Sequence, residues 1–534
     1  MKALQASHSE KLLFLLLTLL NLLPLFPDLF FTTLDGPAHL YNARLIGDLA
    51  LSHGSQASEF FRFNPDNLTN FTGHLFLLAL LQVFSAGTAE KILIAAILIS
   101  FPYAFRFVVR RMQPSHPILT WLVFPLSWSS MLFHGFFNFL IGTVFALVAL
   151  GLWIQPEQKY KRSALGWIFL LLLLAALSHI FAFAVGCFLC GLWTIWRMSS
   201  ATREKGARFP RLSYAQGLRN LLALGLTALP GLFILAHYLW FGNHGNQTGE
   251  TVSIGTSLND IRIFKSAIAY TDSEQMYTAK WFYLLVLAGG VALWMRWIMR
   301  KRDALKRKAS ALKSGLFQYS DFLLISSLLF MLLFIISDQL TDRQMYLQDR
   351  LIFFAFILLT GWIALQQYPR WFTGILVFLA LFVSTALMLN RWPHMRSNAV
   401  MAQEAYLMAS KLEPRSVIYP VSFSSNWQHA HVSNYMAVDH ELIVLSNYEC
   451  SQGYFPLVYQ KEKGLQVAAL NSWLVGSDYS AFMHDPPYDY LVTFSEIDAL
   501  DRVAYIRFRL MLNRCYKLHM ESPRGWLRVY KARS

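Results

Sequence analysis

The run "KLLFLLLTLLNLLPLFPDLFF" (residues 11–31) passes directly into "TTLDGPAHLYNA" (residues 32–43), an apolar stretch that ends on one carrying an acidic residue. From Leu12 the run is almost wholly apolar and reaches the roughly 20 residues that a helix needs to cross a hydrocarbon core of about 30 Å. It is longer than a signal-peptide core, and no small-residue cleavage site precedes Asp35. The run therefore reads as a retained first transmembrane helix, 12–31, with an acidic residue just beyond its mouth.

Composition agrees. Of 534 residues, 55% are hydrophobic and only 14% are charged, with 43 Phe and 16 Trp, which excludes an ordinary soluble domain. A formal charge of +15 invites a nucleic-acid reading, but Lys and Arg cluster in short loops between apolar runs. Arg110-Arg111, "KYKR" (159–162), "TREKGARFPR" (202–211) and "RKRDALKRK" (300–308) are the clearest. Loops of this kind face the cytoplasm, so no nucleic-acid partner is expected.

That constraint gives about eleven crossings: 12–31, 89–109, 118–133, 136–155, 163–178, 180–196, 218–241, 280–299, 322–340, 350–368 and 371–391. The segment 73–86 is short and reads as a helix in the outer interface, with loop 32–72 before it. The fold class expected is an all-α polytopic membrane domain, residues 1–392, followed by a small extracytoplasmic α/β domain, 393–534. In the latter, "SVIYPVSF" (416–423), "HELIVLSNY" (440–448), "YDYLVTF" (488–494) and "WLRVYKA" (526–532) read as strands. "SNAVMAQEAYLMASKL" (397–412) has helical spacing.

Cys187 and Cys190 lie within an apolar run and read as packing residues, whereas Cys450 and Cys515 share the outer domain and leave a disulfide open. No Cys/His spacing reads as a zinc site.

The topology gathers polar residues on one face. Pro37 suits the first turn of a helix, with Gly36 as cap and Asp35 before its positive end. Leu40, Tyr41, Leu45, Leu49 and Ala50 make an apolar band, with His39, Asn42 and Asp48 elsewhere, which describes a helix lying on the membrane. His134 and Asn138 flank the turn "FHGFFNF" (133–139), Ser178 and His179 form a short turn, and Arg343 and Arg350 bracket Tyr346. Such residues are costly at membrane depth unless they line a cavity. Asp28, in "LFPDLFF" (25–31), rivals Asp35 but has the flanks of a helix end.

This order of features resembles the GT-C glycosyltransferases, polytopic enzymes that use sugars linked to polyprenyl phosphate. The resemblance covers most of the chain and implies that Asp35 in "LDGPAHLYNA" (34–43) corresponds to the family's catalytic acid. It implies a polyprenyl-phosphate sugar donor, a lipid, glycan or protein acceptor, and contact with membrane lipids. Two departures stand out: Asp35 lacks an acidic neighbour, and Asn138 stands where relatives carry a second acid. No metal ligand set is therefore assigned, no cofactor is expected with certainty, and dependence on a divalent metal is in doubt.

One carboxylate suffices for inverting transfer, because it can take the acceptor's proton as an oxocarbenium-like centre develops. Arg343 or Arg350 would hold the departing phosphate, with His39, His134, Asn138, His179 and Tyr346 as further substrate-binding candidates. A transporter, a lipid-linked polymerase or ligase, and a non-catalytic envelope scaffold are the competing classes. The sequons at Asn67, Asn70 and Asn246 read as chance matches, and a bacterial inner membrane with a periplasmic C-terminal domain is expected.

Overall fold

A computed structural model describes residues 8–51, 55–113, 117–155, 160–199, 209–241, 254–265, 267–269, 271–306, 318–340, 346–424, 426–460, 488–495 and 502–533. The chain opens with α1 (His8–Leu20), followed by α2 (Gly36–Leu51), the single turn α3 (Ala57–Phe60) and α4 (Thr72–Leu81). Next come α5 (Ala86–Met112), the single turns α6 (Phe124–Ser127) and α7 (Ser130–Phe133), α8 (Phe137–Trp153), α9 (Arg162–Ser178) and α10 (Ile180–Ser199). Then follow α11 (Tyr214–Phe241), α12 (Ile254–Arg262), α13 (Gln275–Lys306), α14 (Asp321–Leu340), α15 (Leu347–Ala364) and α16 (Arg370–Ala409), with α17 (Arg502–Cys515) near the C-terminus.

Among the described residues, seven helices are long and apolar enough to cross a membrane, and five more apolar helices are shorter. The chain is an integral membrane protein. Each expected crossing coincides with helical structure, but three differ from the sequence reading for identifiable reasons. The first regular helix stops at Leu20 and ends in a 3-10 turn over Leu23–Leu25, because Pro24 and Pro27 lack the N–H that would continue it.

The expected crossing 118–133 is broken into a 3-10 stretch (Pro117–Val123), α6 and α7. Trp128 leaves helical geometry (φ −94°, ψ 54°), and the Ser129 hydroxyl accepts from Leu132 N to start α7. Irregular backbone amid apolar helices needs polar partners, and Arg391 supplies one by donating to Trp128 O at 2.6 Å. Ser130 N donates to Ala267 O at 3.3 Å. Arg391 is fully buried in an ion pair with Glu274 at 2.7 Å and also donates to Ile268 O.

The long helix α16 runs through Pro393 as one element of 40 residues, so residue 393 lies inside a helix that enters the C-terminal region.

That region contains a five-stranded mixed sheet in the order β3-β2-β5-β7-β6. Here β2 is Val417–Ser422, β3 Ile443–Val444, β5 Tyr490–Phe494, β6 Tyr516–Glu521 and β7 Leu527–Ala532. β2 runs parallel to β3 and β5, while β5, β7 and β6 pair antiparallel. All four strands read from the sequence are present. β6 was not anticipated, nor was a separate pair in which β1 (Phe61–Phe63) meets β4 (Leu457–Tyr459) with Phe61 opposite Tyr459.

This second pair fastens the segment after the first helix to the C-terminal region. α2 is also held there: Asn42 and Asn447 exchange amide hydrogen bonds at 3.1 and 2.7 Å, and the Tyr41 hydroxyl accepts from Val444 N. Arg44 donates to the carbonyls of Ala437, Val438 and His440. From Gly36 to Ile46 every α2 residue except Arg44 is buried. The expected helix lying on the membrane is therefore corrected: between Gly36 and Ile46 it is enclosed by protein and its polar residues find protein partners, while only its last turn, at Ala50 and Leu51, is exposed. Cys450 and Cys515 are buried and not joined in a disulfide, and the sequon residues Asn67 and Asn70 are buried as well.

Candidate functional site

A cavity of about 270 Å³ opens where α2, the turn before α8, the α9/α10 break, the start of α15 and the C-terminal region converge. Asp35, His39, Asn138, His179, Tyr346 and Arg350 line it together. They come from segments more than 300 residues apart, and only the fold unites them. His134 stands just behind the wall, stacked on Trp427 at 4.7 Å and edge-on to Tyr346 at 5.4 Å, with its Nδ1–H donating to Ser130 O. Arg343 falls outside the described residues.

Asp35 is placed by backbone. Leu34 N and Asp35 N donate to Phe133 O and His134 O at 2.9 and 3.1 Å, and Asp35 O accepts the first helical bond from His39 N. The opposing turn can come this close because of Gly135 (φ 77°), where a Cβ would lie 2.7 Å from Gly36 N and 2.9 Å from Asp35 N. Any side chain would therefore push the turn away and be strained at that φ.

Burial pushes the Asp35 carboxyl up to about 7, against the lowering pull of His39, Tyr448 and Arg350. That places it where a general base is most effective near neutrality. His431 Nε2 lies 3.8 Å from Asp35 and stacks on Tyr448 at 4.2 Å. Burial lowers His431 to about 4, so it is neutral beside the carboxyl.

Arg350 lies in the first turn of α15 and stands over the rings of Phe136 and Phe139, 5.1 and 5.6 Å from their centroids. Its guanidinium offers a planar donor fork inside an aromatic pocket, a suitable partner for a phosphate. Tyr346, just before it, adopts φ 50°, a left-handed conformation uncommon for an aromatic residue. His179 has its pKa driven well below the ordinary value by burial, and its Nδ1 accepts from Phe181 N at 3.2 Å.

Asn138 explains its own departure from an acidic pattern. Its Oδ1 accepts from Gly73 N at 2.6 Å while its Nδ2 donates to Asn70 O at 3.1 Å. A carboxylate could accept the first bond but not donate the second. Asp28 pairs with Arg396 at 3.1 Å and is not among the cavity's lining residues, so among the described residues Asp35 is the carboxyl that lines the cavity.

Several residues escaped the sequence reading. Tyr448, Tyr454, Phe455, His431, Asn70 and Tyr238 also line the cavity. Behind it lie His74 and Glu449, both buried. Glu449 meets His39 Nδ1 at 2.7 Å and His74 Nε2 at 2.9 Å. Burial would raise the Glu449 carboxyl, but its contacts with the His39 and His74 rings outweigh burial and hold it down at about 2. Glu90, also buried, accepts from Phe31 N and from the Tyr435 hydroxyl and so braces the chain before Asp35.

Two signals were available. "NYECSQGYF" (447–455) sets one acid among aromatics, and His74 is the lone titratable residue in the apolar "TGHLFLLALL" (72–81).

No protein-family profile matches the sequence, and no curated protein matches it by sequence. Among solved structures, the crystal structure of ArnT from Cupriavidus metallidurans in the apo state is similar over 98% of each chain, with a TM-score of 0.56 and 12% identity. The likeness to GT-C membrane glycosyltransferases drawn from the sequence is thus borne out at the level of fold, which this chain shares with ArnT from end to end.

Proposed function

We propose that the chain is a membrane glycosyltransferase that moves a sugar from a polyprenyl-phosphate carrier to an acceptor, with inversion at the transferred carbon. The observation that carries this reading is the joint presence, in one aromatic-walled cavity, of a buried carboxyl near neutrality, Asp35, and a half-buried guanidinium, Arg350. Asp35 takes the acceptor's proton as the new glycosidic bond forms, and Arg350 pairs with the phosphate as the old bond breaks. The GT-C fold is consistent with both roles.

Burial of Asp35, His39, Asn70 and Asn138 in the cavity wall supports transfer over hydrolysis, because water kept from the carboxyl cannot compete for the sugar. The basic loops support a cytoplasmic position for the side of the membrane they occupy; on that reading the cavity and the sheet lie on the extracytoplasmic side, for a bacterial chain the periplasmic face of the inner membrane. The test is an assay of purified protein in nanodiscs with polyprenyl-phosphate sugars, comparing the parent with Asp35→Asn. Transfer by the parent alone is expected.

A further inference from the structure

We propose that His39, His74 and Glu449 form a binding site for one divalent transition metal, best suited to zinc, that ties α2 and α4 to the C-terminal region at the cavity wall. The sequence spacing hid it, because these ligands lie far apart along the chain. In space their ligand atoms fall within 4.8 Å of one another, and all three residues are buried.

The hydrogen bonds around the cluster make the case. His39 Nε2 lies 3.0 Å from Gly135 O, and His74 Nδ1 lies 2.9 Å from Asn70 O. A carbonyl only accepts, so each of these ring nitrogens carries the proton. In a neutral ring the other nitrogen then bears a lone pair. Those two nitrogens, His39 Nδ1 and His74 Nε2, point at the Glu449 carboxylate and at each other, 3.2 Å apart. Three acceptors thus converge on one buried point, and a cation at that point satisfies all of them.

Glu449 Oε1 strengthens the argument. It lies 2.7 Å from His39 Nδ1 yet has no aligned hydrogen-bond donor among the described residues.

The dimensions fit. Ligands at 2.0–2.2 Å in tetrahedral array are separated by about 3.3 Å, so distances of 2.7 to 3.2 Å require only slight expansion. Two imidazoles and a carboxylate suit zinc, and backbone carbonyls holding the remote ring nitrogens are the usual outer support of metal-bound histidines. Among the described residues no fourth His, Cys or acid joins the group. His39 is the member that lines the cavity, so a remaining coordination position would be filled by water or by a substrate oxygen.

The experiment measures metal without any sugar donor, so its failure would leave the transferase reading standing. Protein purified in detergent without chelator is analysed by plasma mass spectrometry. It is then stripped, reloaded with cobalt, and read by visible absorption and by X-ray absorption at the metal edge. The expected result is about one metal per chain, bound by two imidazoles and oxygen, with affinity at least ~10-fold weaker in His74→Gln and Glu449→Gln. Should a variant fail to fold, the ligand shell of the parent decides. A parent that takes up neither zinc nor cobalt, a sulfur or all-oxygen shell, or unchanged affinity in folded variants would overturn the proposal, leaving the cluster as a carboxylate held by two imidazolium ions.

Discussion

Arg391 and Glu274 form an ion pair at 2.7 Å with no solvent exposure on either side chain. The guanidinium also satisfies the carbonyls of Trp128 and Ile268, so one side chain of α16 closes the break in the expected crossing 118–133. Removing one partner of such a pair leaves a buried charge alone and costs roughly 3–5 kcal/mol. Arg391→Met is therefore expected to lower the unfolding midpoint in detergent sharply, and Arg391→Met with Glu274→Met to recover part of the loss. Equal stability of parent and single variant would show that the pair does not hold the break.

Asn138→Asp tests whether an acid belongs at that position. The change keeps an acceptor for Gly73 N but sets a carboxylate oxygen against Asn70 O, where an N–H now donates. An unsatisfied buried group costs about 1–3 kcal/mol, so thermal stability and transfer should both fall. A variant with gained activity would mean that the second acid of the GT-C pattern is functionally missing here.

Much of the architecture was legible because it depends on local pattern. Apolar runs, basic loops and four short β-rich runs announce themselves within a few turns of chain, and Asp35 stood out by its position. The partners of the site did not. Glu449 and His74 acquire meaning only when β1 pairs with β4 and brings the C-terminal region down on α2, and nothing local in "FRF" (61–63) or "LVY" (457–459) specifies that pairing. The enclosure of α2 was hidden for the same reason, since an apolar band is visible in sequence while the partners of Asn42 and Tyr41 are not.

The pH dependence follows from Asp35, which burial raises from 3.8 to about 7. In the proposed role its active form is the carboxylate, so turnover should rise between about pH 6 and about pH 8. For stability the sign is opposite. The unfolded carboxyl loses its proton first, so this group withdraws stability as pH climbs from about 4 to about 7. Asp35→Asn should then unfold at a higher temperature than the parent at pH 8 and at a similar one at pH 4. A cation held by His39, His74 and Glu449 would pull the midpoint down, so profiles are to be compared with and without chelator. A flat profile in stripped protein would contradict the assignment.

Arg350→Lys separates phosphate recognition from simple charge. Lysine keeps the attraction but loses the planar fork, and a charge-assisted contact of this kind is worth roughly 1.5–3 kcal/mol. Initial rates against donor concentration should show about tenfold or greater loss at low donor, with acceptor dependence little changed. Rates equal to the parent across the donor range would place the phosphate elsewhere.

In the proposed function the buried carboxyl of Asp35 drives transfer from a lipid-linked sugar. The most direct test is the rate of sugar transfer from polyprenyl-phosphate donors in nanodiscs by the parent and by Asp35→Asn, each shown to be folded and monodisperse. The account predicts turnover by the parent and a loss of at least ~100-fold in the variant, because Asn preserves shape but cannot take the proton. A folded Asp35→Asn protein that transfers sugar at the parent's rate would contradict it.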